Sequence, residues 1–126
     1  MNNSIRIAVV AGLAVLGTTA FLAGPVAKAQ DAAKVDPKHY KVEFENQQVR
    51  VLRVKIGPHE AAPLHEHSAN RVVAYLTDQD IRVTSQDGKV ENAKRKAGEV
   101  TWSGKATHKE ENLSDKPFEV VVAEIK

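Results

Sequence analysis

The sequence predicts an all-β protein, a sandwich or barrel of short strands. Three observations carry that expectation: apolar residues recur at every second position, turn residues interrupt them at regular spacing, and no helical period appears beyond the N-terminal 29 residues. Tyr40, Val42 and Phe44 alternate with Lys41, Glu43 and Glu45, the pattern of a half-buried strand. Val49 and Val51 then keep the odd phase, while Leu52, Val54 and Ile56 take the even one, a change that a β-bulge between Val51 and Leu52 would produce. Gly57 and Pro58 open a turn that leads into His65 and His67. Val72 to Leu76 is apolar on both faces, Ile81 and Val83 alternate, and Asp87-Gly88 marks a tight hairpin. Val100 with Trp102, then Phe118 to Ile125, supply the last strands. Trp102 and Tyr75 are assigned to core packing, with the mouth of a pocket as the alternative.

Residues 1–29 read as an address and are set apart from the fold. A short n-region carries Arg6, residues 7–27 hold no charge, and Ala27-Lys28-Ala29 offers an A-x-A cleavage site. A secretory signal peptide cleaved after Ala29 is therefore expected, and with it a periplasmic or secreted protein with no membrane contact after cleavage. The alternative is an uncleaved anchor, since about 20 apolar residues can span a bilayer. Residues 30–38 read as a flexible leader, and residues 39–126 as one domain. Removing residues 1–29 takes away Arg6 and Lys28 and no acid, leaving 16 basic residues against 16 acidic ones. A balanced surface argues against nucleic acid as a partner, because that needs a basic patch. The run Lys94-Arg95-Lys96 is read as a solvated loop. The absence of cysteine excludes disulfides, thiolate metal ligation and thiol catalysis.

Five histidines carry the chemistry. His65 and His67 stand at i and i+2, so on a strand both imidazoles face one way and can share a metal. His108 is the best candidate for a third ligand, and Glu110 shares its strand parity. His39 is read as incidental and His59 as a loop residue. His59-Glu60-Ala61-Ala62-Pro63 superficially suggests the zinc-protease helix, but Pro63 stands where that motif needs its second histidine.

These residues resemble the cupins, small jelly-roll barrels also called double-stranded β-helices, which carry the motifs G-x5-H-x-H-x3,4-E-x6-G and G-x5-P-x-G-x2-H-x3-N. Gly57 with His65-Glu66-His67 is similar to the first motif, with two more residues in its spacer. Gly98 with His108 and Asn112 is similar to the second, with H-x3-N intact and a spacer one residue short. The resemblance spans the chain from about Val42 to Ile125. It implies a cupin barrel holding one divalent transition metal, with iron, zinc, manganese, nickel and copper all admissible for imidazole ligands.

Two departures shape the functional expectation. Where the family places a glutamate ligand, this chain has Arg71 or Val72, and Arg71 shares the parity of His67. Gly104 and Ala106 replace the proline and glycine of the second motif. The expected metal set is therefore His65, His67 and His108. Glu110 is read as a solvated strand charge, with a fourth ligand or general base as the alternative; Arg71 or Lys105 would orient a small, anionic ligand, Lys105 being by default a solvated loop residue. Three imidazoles leave coordination positions open, as in reactive metal sites. Three readings stay open: a metal-dependent enzyme of oxygenase, isomerase or decarboxylase type acting on a small oxygenated or carboxylated molecule, an exported non-enzymatic binder, and a barrel without its metal site. A homodimer is expected, because a short barrel leaves sheet edges that pairing would cover.

Overall fold

The computed structural model describes residues 29–126. The n-region and apolar run of the expected signal peptide lie outside the described residues. Nine strands follow one short helix: α1 (Ala32–Val35), β1 (Tyr40–Glu45), β2 (Val49–Ile56), β3 (Ala61–His67), β4 (Arg71–Tyr75), β5 (Gln79–Ser85), β6 (Val90–Arg95), β7 (Val100–Ser103), β8 (Ala106–Asn112) and β9 (Phe118–Ile125). They form a five-stranded sheet in the order β1-β2-β9-β4-β7 and a four-stranded sheet in the order β3-β8-β5-β6. Every pairing between named strands is antiparallel. The all-β class expected from the alternation is the one observed, in the jelly-roll arrangement that the resemblance implies.

The alternation explains where the core sits. Leu52, Val54 and Ile56 of β2, Val73 of β4, and Phe118, Val120 and Val122 of β9 all face inward and are buried. Ile81 and Ala62 meet them from the four-stranded sheet. The bulge expected between Val51 and Leu52 is not there: Val49 and Val51 face the outer side of an uninterrupted strand and Leu52, Val54 and Ile56 the inner one. β2 pairs with β9 without interruption from Val49 to Ile56, and the extra residue lies in β1, between Val42 and Phe44. That shift sets Phe44 opposite Val51 on the outer face, and 54% of it is exposed. A one-residue slip inverts every later side chain because the strand period is two.

The Asp87-Gly88 hairpin forms as expected. Gly88 takes φ +90°, its N–H donates to Ser85 O at 2.9 Å, and Asp87 Oδ1 accepts from Lys89 N at 3.0 Å. The left-handed φ is what reserves this position for glycine.

The segment read as a flexible leader is docked. Ala32 is fully buried, Glu66 N donates to Gln30 O at 2.8 Å, and Asp31 pairs with Arg50. His39, read as incidental, is buried with both ring nitrogens engaged, Nδ1 with Asp36 Oδ2 at 2.6 Å and Nε2 with Glu60 Oε2 at 3.1 Å. Sequence reasoning missed this tie because all of its partners are polar, and polar residues near a chain end look solvated. Lys94 and Arg95, read as loop, end β6, whose charged sequence hid a strand paired to β5 from Thr84↔Val90 to Gln79↔Arg95. Trp102, assigned to the core, is 64% exposed, because β7 turns Thr101 and Ser103 inward instead.

Candidate metal centre

β3 and β8 pair so that His65 stands directly opposite His108, with His67 two residues further along β3. A register shift between Ala62 and His65 sets that alignment, and Pro63, which cannot donate to a ladder, lies within it. The three side chains point into the barrel and are buried. One nitrogen from each ring lies within 4.8 Å of the other two. The rings meet at steep angles, 86° for His65 with His67 and 85° for His65 with His108, so their edges converge and their faces do not stack.

The nitrogens are oriented for a cation. His65 Nδ1–H donates to Pro63 O at 2.7 Å, which leaves Nε2 with its lone pair turned inward. That Nε2 lies 3.1 Å from His67 Nε2. His67 Nδ1 faces Glu124 Oε1 across 3.5 Å without a hydrogen bond between them, and the carboxylate charge there favours the tautomer that carries its proton on Nδ1 and its lone pair on Nε2. His108 Nε2 is buried without a hydrogen-bond partner. Buried polar atoms are nearly always satisfied, and a shared cation would satisfy this one. Burial lowers the His108 imidazole to about 4, with Glu110 opposing and the other two histidines reinforcing the shift. His65 is lowered by burial as well, so both rings stay neutral at physiological pH and keep a lone pair available, as metal ligation requires. The residues present therefore fit a transition metal: His65, His67 and His108 could hold one ion, and their identity does not select which.

Around the triad stand two residues that the sequence reading did not find. Tyr40 of β1 reaches both His65 Nε2 and Glu110 Oε2 at 3.2 Å, and burial, then the Glu110 charge, raises its hydroxyl well above the ordinary tyrosine value. Glu124 of β9 accepts from Arg50 Nε at 2.6 Å. Burial pushes the Glu124 carboxyl up, but His67 and Arg50 together outweigh it and hold it at about 2. The signal for Glu124 was present in the sequence: Phe118, Val120 and Val122 alternate inward, and the next member of that series is a carboxylate.

The other expected site residues surround an open cavity of about 370 Å³ next to the triad. Arg71 enters from β4 of the opposite sheet and is buried, with Nη1 donating to Gly104 O at 2.5 Å. Among the described residues it forms no ion pair. Burial lowers its guanidinium, while Glu110 and Glu124 oppose that shift. Glu110 lines the cavity with Oε1 3.4 Å from His108 Nε2. Lys105, expected by default in a solvated loop, also lines it, as do Tyr75 and Arg95, whose guanidinium lies 5.8 Å from the Tyr75 ring centroid. His59 is placed elsewhere, in an exposed turn at φ 56° beside Asp115. Asn112, the end of the H-x3-N motif, is fully buried and shares its amide hydrogens among the carbonyls of Ile56, Gly57 and Lys116.

No protein-family model and no curated protein matches the chain. Solved structures do. A cupin domain from Bordetella pertussis Tohama I superposes with a TM-score of 0.66 at 24% identity, covering 79% of this chain and 97% of that one. An RmlC-like cupin family protein with a double-stranded β-helix fold from Methanocaldococcus jannaschii matches at TM-score 0.54 and 14% identity, covering 68% and 77% of the two chains. The Bacillus subtilis oxalate decarboxylase, described with Mn(II) centres, matches at TM-score 0.50 and 20% identity over 63% of this chain and 22% of that one.

Proposed function

We propose that this chain, which carries the cupin fold, is an exported metal-dependent enzyme acting on a small carboxylated molecule. The observation that carries the reading is the joint geometry of the triad and Arg71: three buried imidazoles with nitrogens freed for a cation, open to a cavity that also holds a buried guanidinium which forms no direct ion pair among the described residues, with Glu110 and Glu124 acting on it only from a distance. A buried cation without an anionic partner is costly, and a carboxylate ligand would supply that partner through charge-assisted hydrogen bonds. His65, His67 and His108 would hold the metal, which would supply Lewis-acid or redox chemistry at an oxygen of the bound ligand. The chain's own residues do the rest. Arg71 and Lys105 orient the anion, Glu110 accepts or returns a proton at Oε1 beside His108, and Tyr40 holds Glu110 Oε2 in place. The manganese-containing oxalate decarboxylase among the structural neighbours makes short carboxylates the first ligands to try.

The replacement of the family's acidic ligand by Arg71 favours a second reading, a binder that captures metal and anion without turnover. Elemental analysis of the purified protein tests the common ground: about one equivalent of transition metal is expected, lost in a His65→Ala/His108→Ala double variant. No metal in either protein, even after reconstitution, would refute both readings. Turnover of a carboxylate panel that disappears in His65→Ala would establish the enzyme, and saturable binding without product would establish the binder. Arg71→Glu completes the test. It should tighten metal binding and abolish anion binding if this side chain reaches the site.

A further inference from the structure

Tyr40 is held as firmly as the histidines it touches. It opens β1 opposite Val54, its N–H donates to Asp36 O at 3.0 Å, and its side chain is buried. The neighbouring His39, bonded to Asp36 and Glu60, fixes the chain just before it. The phenol ring packs against His65 and His67, with ring centroids 4.9 and 6.3 Å away. Its oxygen thereby stands among the atoms that face the metal position: it lies 3.2 Å from His65 Nε2, which in turn lies 3.1 Å from His67 Nε2.

These contacts are short of hydrogens. His65 Nδ1 must carry the proton of its ring, because Pro63 O can only accept, and the neutral ring then offers a bare lone pair at Nε2. The Glu124 charge favours the same arrangement in His67, and the Tyr40 hydrogen is donated to Glu110 Oε2 at 3.2 Å. Tyr40 Oη, His65 Nε2 and His67 Nε2 are left as a run of lone-pair atoms in short contact with no hydrogen between them. Buried polar atoms normally find a partner, and one cation would serve all three. Ligand atoms held about 2.0–2.2 Å from a shared metal stand roughly 3–3.4 Å from one another, and both gaps are of that size.

We propose that Tyr40 is a further protein ligand of the metal centre, binding through its phenolate oxygen. The inference rests on the metal-binding reading of the three histidines and adds a donor to it from β1. It also accounts for Arg71: the acidic ligand missing from β4 is replaced by an anionic donor on another strand. Three neutral imidazoles leave the charge of a buried cation uncompensated, which is costly, and a phenolate offsets part of it. The step balances without a co-reactant. The O–H bond of Tyr40 breaks, its proton passes to Glu110 Oε2, which already accepts that hydrogen, and on to the open cavity that Glu110 lines, while the oxygen keeps the electron pair it shares with the metal. Nothing is oxidised or reduced. In the metal-free protein burial and the Glu110 charge keep the hydroxyl protonated, and a bound cation reverses that balance.

The chain has only two tyrosines, Tyr40 and Tyr75, so the ligand can be read spectroscopically. Zinc(II) added to the metal-free protein should give the near-ultraviolet difference spectrum of one tyrosinate per bound metal at neutral pH, where a free tyrosine is protonated. Iron(III) should give the visible phenolate-to-metal charge-transfer band. Both signals should remain in Tyr75→Phe, where Tyr40 is the sole tyrosine, and vanish in Tyr40→Phe. The latter should still bind about one equivalent of zinc, at least about tenfold more weakly, the cost of losing even an outer partner of a metal site. The Tyr75→Phe protein decides the matter even if Tyr40→Phe fails to fold. Metal bound at one equivalent with neither signal would overturn the proposal and leave the three-histidine site standing, as would signals that persist in folded Tyr40→Phe. Failure of the unsubstituted protein to bind any metal would overturn the three-histidine site, and this proposal with it.

Discussion

Replacing Glu124 by glutamine keeps the shape of the side chain and removes its charge, and two separable losses should follow. The first is stability of the metal-free protein. Burial raises this carboxyl, yet His67 and Arg50 hold it at about 2 against the ordinary 4.5, so the ionised form contributes on the order of 3 kcal/mol. The amide of the Glu124→Gln variant still accepts one hydrogen bond from Arg50, so about 2 kcal/mol of that should disappear at pH 7. A carboxyl lowered by folding contributes stability above its unfolded value and loses it as the pH falls through its folded one. The difference between the two proteins should therefore be full above pH 4.5 and shrink towards pH 2. The second loss is metal affinity. Without the carboxylate facing Nδ1 across 3.5 Å, His67 is no longer held in the tautomer that frees Nε2, and affinity should fall roughly 10- to 100-fold. Urea denaturation of the metal-free proteins at pH 7 and pH 3, with calorimetric titration of metal at pH 7, measures both. Unchanged metal affinity alongside the expected stability loss would show that Glu124 serves only as a partner of Arg50, and would refute the tie to His67.

Phe118→Ala removes a large, buried ring from the centre of the core and should cost about 3–5 kcal/mol in chemical denaturation. Asn112→Ala strips the carbonyls of Ile56, Gly57 and Lys116 of their donor and should cost about 2–4 kcal/mol, read as a lowered Tm with metal-free protein. Arg71→Gln should leave the metal content at its original level while weakening binding of small carboxylates at least about tenfold, the worth of a lost charge-assisted hydrogen bond; equal affinity in both proteins would remove Arg71 from the anion site.

Much of the fold follows from the sequence alone, because a strand has a period of two and each inward series is written as a series of aliphatic residues. Leu52-Val54-Ile56 and Phe118-Val120-Val122 are legible in this way, as is the Gly88 turn, where only glycine takes the required φ without strain. The His-x-His pair and His108 are equally legible, since polar residues on an inward parity are conspicuous. Alternation shows which residues share a face, however, and not which face is covered or what lies across it. Tertiary structure alone decided that the bulge falls in β1, turning Phe44 outward, and that Trp102 lies on the uncovered side of an edge strand. It also decided that Tyr40 and Glu124, distant from the triad in sequence, support its nitrogens from the facing sheet, and that His39 ties the N-terminal segment down between Asp36 and Glu60. Each of these depends on contacts between strands remote in sequence, and such contacts are set by how two sheets close on one another, which no local period encodes.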